Sequence, residues 1–362
     1  IVPGLLHRPY NDSPVDVEFL EVATGLVNDE VDMLKKSADS TLPVLFKLAP
    51  AYKDYLWGGS RLNEEYGKSS SFAVTAEAWE LSAHRDGVSV VAEGTFKGLE
   101  FDELMKHHGH ELCGWKANEY EAFPVLIKLI DATKALSVQI HPDDDYAFVH
   151  ESEYGKNEMW YVLSAEEGAF LYCGLKEDTD KAAIETGIKD GTITDILNRI
   201  EVKTGDVIFV PSKTLHAIGE GVMVYEIQQS SNSTYRVFDY GRVDAAGNPR
   251  ALHIEKAMDV ISCKAYVPDV TGFSNPEKFG DNVHQVLAEC KYFRVMKFDV
   301  ASEDKIVMDD ASFGALTLID GEAEISFQKE KVKAIKGDTI FVAAGRRQIT
   351  VSGKCSFLLA HL

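Results

Sequence analysis

Gly205-Asp-Val-Ile-Phe-Val-Pro-Ser-Lys-Thr-Leu-His216 aligns without a gap to Gly337-Asp-Thr-Ile-Phe-Val-Ala-Ala-Gly-Arg-Arg-Gln348, with five of twelve positions identical. Each copy reads as a tight turn, a short β-branched and aromatic strand, and a loop ending in a polar residue. An internal repeat of this kind predicts two related β-domains, with a boundary near 262–275. The surrounding texture agrees. Candidate strands run over Val44–Leu48, Val125–Ile130, Leu136–Ile140, Glu158–Leu163, Ala169–Cys173, Val207–Val210 and Val222–Gln228. A second set covers Phe293–Val300, Ala315–Ile319, Glu322–Phe327, Thr339–Val342 and Phe357–Leu359. Predicted helices are few: Phe101–His108 closed by Gly109, Asp178–Lys189, Thr192–Arg199, and Ile254–Ile261 with its apolar residues at helical spacing. The expected class is all-β, a pair of jelly rolls with inserted helices. The division is an N-terminal extension over 1–42, with a helical lead-in across Val15–Lys36, then a metal-binding domain over 43–262 and a degenerate β-domain over 263–362. The last position of the repeat separates the copies. His216 is a metal-ligand type and Gln348 a poor one, so the first copy should hold the chemistry.

The 362 residues carry 37 Lys and Arg against 58 Asp and Glu, a net charge of −21. That balance disfavours nucleic acid and anionic membrane surfaces as partners. An anionic ligand would need a local cationic pocket. No apolar run approaches the ~20 residues of a membrane span, and the N-terminus lacks the layout of a signal peptide. The five cysteines (Cys113, Cys173, Cys263, Cys290, Cys355) are scattered and form no C-x-x-C pair. They predict a reducing, cytoplasmic setting and no cysteine-based zinc site.

Gly205-x5-Pro211-x4-His216 resembles the second motif of the cupins, with Lys213 where that pattern usually has Gly. The partner ligands should lie upstream, and Gln139-Ile-His141 followed by Glu158 fits. Strand alternation puts Ser137, Gln139 and His141 on one face. Glu226 shares a face with Gln228, and a buried carboxylate is costly unless paired or metal-linked. Two imidazoles, one carboxylate and one amide oxygen suit a single divalent ion, zinc foremost. The run Lys106-His107-His108-Gly109-His110 reads instead as a helix C-terminus, where cations complement the helix dipole. Lys128 within an apolar strand, Lys156 two residues before Glu158, and Arg236 and Arg242 after Glu226 together suggest a phosphate-bearing ligand.

Beyond these residues, Tyr55-Leu-Trp57-Gly-Gly59, Ala76-Glu-Ala-Trp79-Glu-Leu-Ser82, Pro124-Val-Leu-Ile-Lys128, Ser137-Val-Gln-Ile-His-Pro-Asp143-Asp144, Tyr154-Gly-Lys156-Asn-Glu158-Met-Trp160 and Asn232-Ser-Thr-Tyr-Arg236 occur in order. The chain thereby resembles the type I mannose-6-phosphate isomerases from about Pro43 to Ile261, and its cupin-like end to about Leu362 is consistent with their compact bacterial branch. The resemblance implies a zinc-dependent aldose–ketose isomerase that interconverts mannose 6-phosphate and fructose 6-phosphate through an enediol(ate). It implies Gln139, His141, Glu158 and His216 as zinc ligands, Arg236 and Lys156 as catalytic residues, and Ser137, Lys128 and Arg242 as pocket residues. An arginine is a poor base because its pKa exceeds ~12, so Glu226 or a zinc-bound water is the expected base. Rival readings are an isomerase of another sugar phosphate, a cupin dioxygenase using iron on the same ligands, and a sugar-phosphate-binding cupin without catalysis.

Overall fold

The computed structural model describes residues 42–243 and 247–362. The lead-in expected over Val15–Lys36 lies outside them. All paired strands in the two large sheets of the first β-domain run antiparallel, and the central strands Val125–Ala132 and Val222–Gln229 are buried along their whole length. One sheet has the order Val207–Val210, Glu158–Ala165, Val222–Gln229, Val125–Ala132, Glu77–Leu81, Ala51–Lys53. The other has the order Leu197–Glu201, Phe170–Leu175, His216–Ile218, Val138–Ile140, Tyr235–Phe238.

A core drawn from both sheets lies between them and includes Ile130, Trp160, Val162, Leu171, Ile218 and Val224. A second core lies on the far side of the five-stranded sheet. There Val138, Ile140, Ala217 and Tyr235 pack with Ile184, Ile188, Ala257 and Met258 of helices Lys181–Asp190 and Ile254–Val260. These two cores fix the facing of every strand in between. With Val138 and Ile140 committed outward, Ser137, Gln139 and His141 must face the other way, into the space between the sheets.

The last hundred residues form a larger antiparallel assembly around Phe298, Leu316, Leu318, Ile325, Ile340 and Phe357. Strand Leu45–Ala49 joins it by pairing with Thr339–Val342, and Val44 and Leu45 enter its core. The two copies of the repeat adopt matching turns. Gly205 has φ 94° and Gly337 φ 97°, a left-handed region that favours glycine. Each turn leads directly into its strand, Val207–Val210 or Thr339–Val342. Gln348 is exposed in strand Arg347–Ser352.

Three local expectations are corrected. The helix from Phe101 runs through Gly109 to Leu112, because burial of Phe101, Leu104 and Leu112 on one face outweighs the ~1 kcal/mol propensity penalty of an interior glycine. The segment 192–199 is a 3₁₀ turn, Ile193–Ile196, followed by strand Leu197–Glu201, which pairs with Phe170–Leu175. The separate strands expected over Ala315–Ile319 and Glu322–Phe327 are one strand, Gly314–Phe327. Gly321 does not open a hairpin: it pairs with Cys355 within the strand, and the register against Cys355–His361 slips just before it, between Leu318 and Asp320. No helix among the described residues is long and apolar enough to cross a membrane, and all five cysteines are free.

Candidate active site

Three side chains from three strands or strand ends converge between the sheets. His141 follows strand Val138–Ile140, Glu158 opens strand Glu158–Ala165, and His216 opens strand His216–Ile218. All three are buried, and their ligand-type atoms lie within 4.8 Å of one another. His141 Nε2 is 3.3 Å from Glu158 Oε1, and His216 Nε2 is 3.6 Å from Glu158 Oε2. The outer nitrogens settle the tautomers. His141 Nδ1 meets the Ser233 carbonyl at 2.8 Å and His216 Nδ1 meets the Thr214 carbonyl at 2.9 Å. Each Nδ1 must therefore donate, which leaves each Nε2 with a lone pair aimed at the centre. Burial, reinforced by Lys156, pushes the pKa of His141 down to about 3, and burial lowers that of His216. Both rings are neutral. Burial opposes the Glu158 carboxylate, but the Lys156 ammonium beside it holds its pKa well below 4.5.

This donor set fits a metal ion. Neither Glu158 oxygen has a hydrogen bond, nor does His216 Nε2; the cation at the centre is the Lys156 ammonium, 2.7 Å from Glu158 Oε1 and donating to His141 Nε2 at 3.1 Å. Buried lone pairs without hydrogen bonds are costly unless something takes them up. Two neutral imidazoles and a carboxylate form the common three-residue set of zinc sites. No other such group occurs among the described residues. The Lys106–His110 run lies along a helix surface, where His107 and His110 meet Glu103 and Glu111.

The centre adjoins a cavity of about 290 Å³ whose lining includes Gln139, Lys156, Ser137, Lys128, Glu226 and Arg236. Six of the residues singled out in the sequence thus line one cavity. Gln139 stands between His216 and Arg236 in strand register. A row across the six-stranded sheet places Trp160, Glu226, Lys128 and Trp79 abreast. Cross-strand neighbours on one face touch, so Lys128 Nζ lies 3.1 Å from Glu226 Oε1, and Trp160 Nε1 donates to Glu226 Oε2 at 2.8 Å. Burial raises the Glu226 pKa, with Glu158 adding to it and Lys128 pulling back. Burial works against the Lys128 ammonium, yet Glu226 and Glu77 hold its pKa above the ordinary lysine value.

Arg236 donates from Nε to Ser137 Oγ at 3.2 Å and from its terminal nitrogen to the Ala251 carbonyl at 2.8 Å. Arg242 is placed elsewhere. Its guanidinium is held by Asp239 and the Ala135 carbonyl, and it does not reach the cavity lining. Arg250 lines the cavity in its place, and its Nε donates to Asp239 at 2.8 Å.

Arg250 and Glu77 are the functional-looking residues that sequence reasoning missed. Glu77 stands in the segment Ala76-Glu-Ala-Trp79. Recognising a strand there would have put Glu77 and Trp79 on one face. Arg250 follows a turn-rich stretch and gives no periodic signal. Lys213, the departure from the cupin pattern, has φ 69°, which explains why glycine is usual there. It is tethered three ways. Its ammonium pairs with Asp143, its N–H donates to His141 O at 2.7 Å, and its carbonyl accepts from Ser262 N.

Comparison with known proteins agrees with this geometry. Residues 45–168 match the family model "Phosphomannose isomerase type I, catalytic domain", and residues 283–362 match "Mannose-6-phosphate isomerase, cupin domain". The chain is 36% identical over 324 residues to mannose-6-phosphate isomerase ManA of Bacillus subtilis, covering 89% of this chain and all of that one. It is 37% identical over 306 residues to the mannose-6-phosphate isomerase of Streptococcus mutans, covering 84% of this chain and 94% of the relative. The crystal structure of the mannose 6-phosphate isomerase from Bacillus subtilis superposes with a TM-score of 0.79 at 34% identity, covering 88% of this chain and 100% of that one. The buried His141–Glu158–His216 centre and its charged cavity thus sit in a chain that belongs to the type I mannose-6-phosphate isomerase family.

Proposed function

We propose that this protein interconverts mannose 6-phosphate and fructose 6-phosphate as a zinc-dependent aldose–ketose isomerase. One observation supports the reading most: a buried two-His, one-carboxylate centre adjoins a cavity that holds both a desolvated carboxylate, Glu226, and guanidinium groups. His141, Glu158 and His216 would hold the ion, with Gln139 offering an amide oxygen from the neighbouring strand. Zinc, when bound, supplies Lewis-acid polarisation of the substrate oxygens.

The protein's own groups account for the rest. Isomerisation moves a proton between carbons 2 and 1. A single base that takes it from one carbon and returns it to the other, with an enediol(ate) between, is sufficient. Glu226 is suited to that task, since burial lifts its pKa toward the working range while Lys128 keeps the carboxylate ionised. Trp160 fixes one carboxylate oxygen and leaves the other, Oε1, without a hydrogen bond. Lys156 and Arg236 offer fixed positive charge where oxyanion character develops. Ser137 orients the Arg236 guanidinium. Arg236 and Arg250 make a local cationic wall, which a chain of net charge −21 needs in order to receive a phosphate. Arg242 acts from behind that wall, by holding the Asp239 that also holds Arg250.

Purified protein incubated with mannose 6-phosphate, and followed by phosphorus NMR, is expected to yield an equilibrium mixture with fructose 6-phosphate. Unphosphorylated mannose is expected to stay unchanged under the same conditions. A folded, zinc-loaded sample that leaves mannose 6-phosphate unconverted would overturn the assignment.

A further inference from the structure

Glu153 stands outside the cavity lining, in the loop between helix Asp144–His150 and strand Glu158–Ala165. Its side chain is nonetheless only 10% exposed, and its two oxygens are used differently. Oε2 accepts three hydrogen bonds from one short segment: Ser231 Oγ at 3.1 Å, Asn232 N at 3.0 Å and Ser233 Oγ at 3.0 Å. Oε1 faces Arg85 at 2.7 Å and His84 Nε2 at 3.4 Å. Because His84 Nδ1 accepts from the Asp86 N–H, His84 Nε2 carries the ring proton and donates toward Glu153. Burial works against this carboxylate, but His84, Asn232 and Ser233 outweigh it and hold its pKa down to about 2.

The segment so gripped leads straight to the centre. The Ser233 carbonyl is the acceptor for His141 Nδ1, and Asn232 and Thr234 form part of the cavity wall. A carbonyl that orients a ligand imidazole sets both its tautomer and its angle, so its own position matters as much as the ligand's. Nothing in strand Tyr235–Phe238 pins residues 231–233, since that strand begins only at Tyr235. Besides the Glu153 bonds, a Ser233 N–H to Ser231 Oγ bond shapes the turn internally, the Ser231 N–H donates to the Gln229 carbonyl at 2.8 Å, and Gln228 and Asp86 each tie one of its residues.

We infer that Glu153 is a positioning residue for the metal centre, holding the Ser231–Ser233 turn so that the Ser233 carbonyl fixes the His141 ring. This rests on the reading of His141, Glu158 and His216 as zinc ligands. Glu153 touches neither substrate nor ion; it acts through Ser233.

The test is zinc affinity, measured on the purified full chain by competition with a metallochromic chelator, alongside Tm of the zinc-free protein. Loss of an outer partner of a ligand histidine typically weakens metal binding 10–100-fold, and E153A is expected within that range. E153Q keeps the shape and one acceptor oxygen, so it should recover some of the loss. R85A removes only one of the two partners on the far oxygen, at a side chain 68% exposed, and should bind zinc within twofold of wild type. E153A that binds zinc within twofold of wild type, whatever its Tm, would overturn the inference. Should E153A fail to fold, E153M, which keeps the length of the side chain but offers no acceptor oxygen to the turn, at wild-type affinity would do the same. A wild-type chain that takes up no zinc would instead overturn the metal reading itself.

Discussion

Glu226→Gln isolates the base from everything else in the pocket. The exchange is isosteric and removes a charge that lies 3.1 Å from Lys128 and accepts from Trp160 Nε1. If the amide oxygen stays on Trp160, its NH₂ group faces the Lys128 ammonium, donor against donor. If it flips, the NH₂ group faces the Trp160 N–H. Either way one buried polar contact is spoiled, a cost of about 1–3 kcal/mol. Lys128 keeps Glu77 at 3.7 Å as a second counter-charge, so the larger penalty of a stranded buried charge, about 3–5 kcal/mol, is not reached. Against a typical total of ~5–15 kcal/mol the variant should fold. The chemical loss should be larger. A positioned base contributes roughly 10²–10⁴-fold, about 3–5 kcal/mol of barrier at 1.36 kcal/mol per tenfold. The assay is incorporation of solvent deuterium at carbon 2, with Tm and zinc content measured on the same sample. In the wild type, kcat/KM should fall as pH drops through the raised Glu226 pKa, because the proton-accepting form is lost. The variant should lose that acid limb. E226Q that exchanges the carbon-2 proton at the wild-type rate would refute the reasoning and move the base elsewhere.

The repeat turns offer an internal comparison. A Cβ at Gly337 would lie 2.2 Å from the Tyr66 carbonyl oxygen, whereas at Gly205 the nearest atom is 3.9 Å away. With nearly equal φ, G337A should destabilise clearly more than G205A in urea unfolding, and equal losses would contradict the steric account. K213G relieves a left-handed non-glycine residue, at a gain of about 1 kcal/mol, but loses a half-exposed ion pair worth about 0–1 kcal/mol. Its Tm should stay within about 2–4 °C of wild type. The Glu153 pKa is depressed in the folded state, so its stabilisation is present above the ordinary carboxylate value of 4.5 and is lost as pH falls toward about 2. E153Q should therefore flatten stability against pH in that window.

The repeat and strand alternation carried much of this site. Gly205 and Gly337 marked equivalent turns, and the parity of Ser137, Gln139 and His141 followed from Val138 and Ile140 needing an apolar neighbour. His216 and Glu158 were legible from the cupin-like spacing and the family resemblance, and strand parity added support only for His141. Arg242 and Arg250 were not separable in that way. Both lie in irregular backbone after strand Tyr235–Phe238, where no period ties residue number to direction; both hold Asp239, and Arg242 is drawn aside by the Ala135 carbonyl while Arg250 lines the cavity. Glu153 was invisible for a related reason. Its partners are 68–80 positions away in sequence, and a loop glutamate in an acidic chain gives no local signal. The helix passing Gly109 and the continuous strand through Gly321 show the same limit, since tertiary burial overrode two residues that read as punctuation.

The central claim is that the His141–Glu158–His216 centre makes this chain a metal-dependent isomerase of mannose 6-phosphate. The most direct measurement is turnover of that substrate before chelation, after exhaustive chelation, and after stepwise return of zinc, with bound metal counted at each stage. The account predicts that activity disappears with the metal and returns in proportion to zinc, reaching its plateau at one ion per chain. Full turnover by a metal-free, folded chain would contradict it.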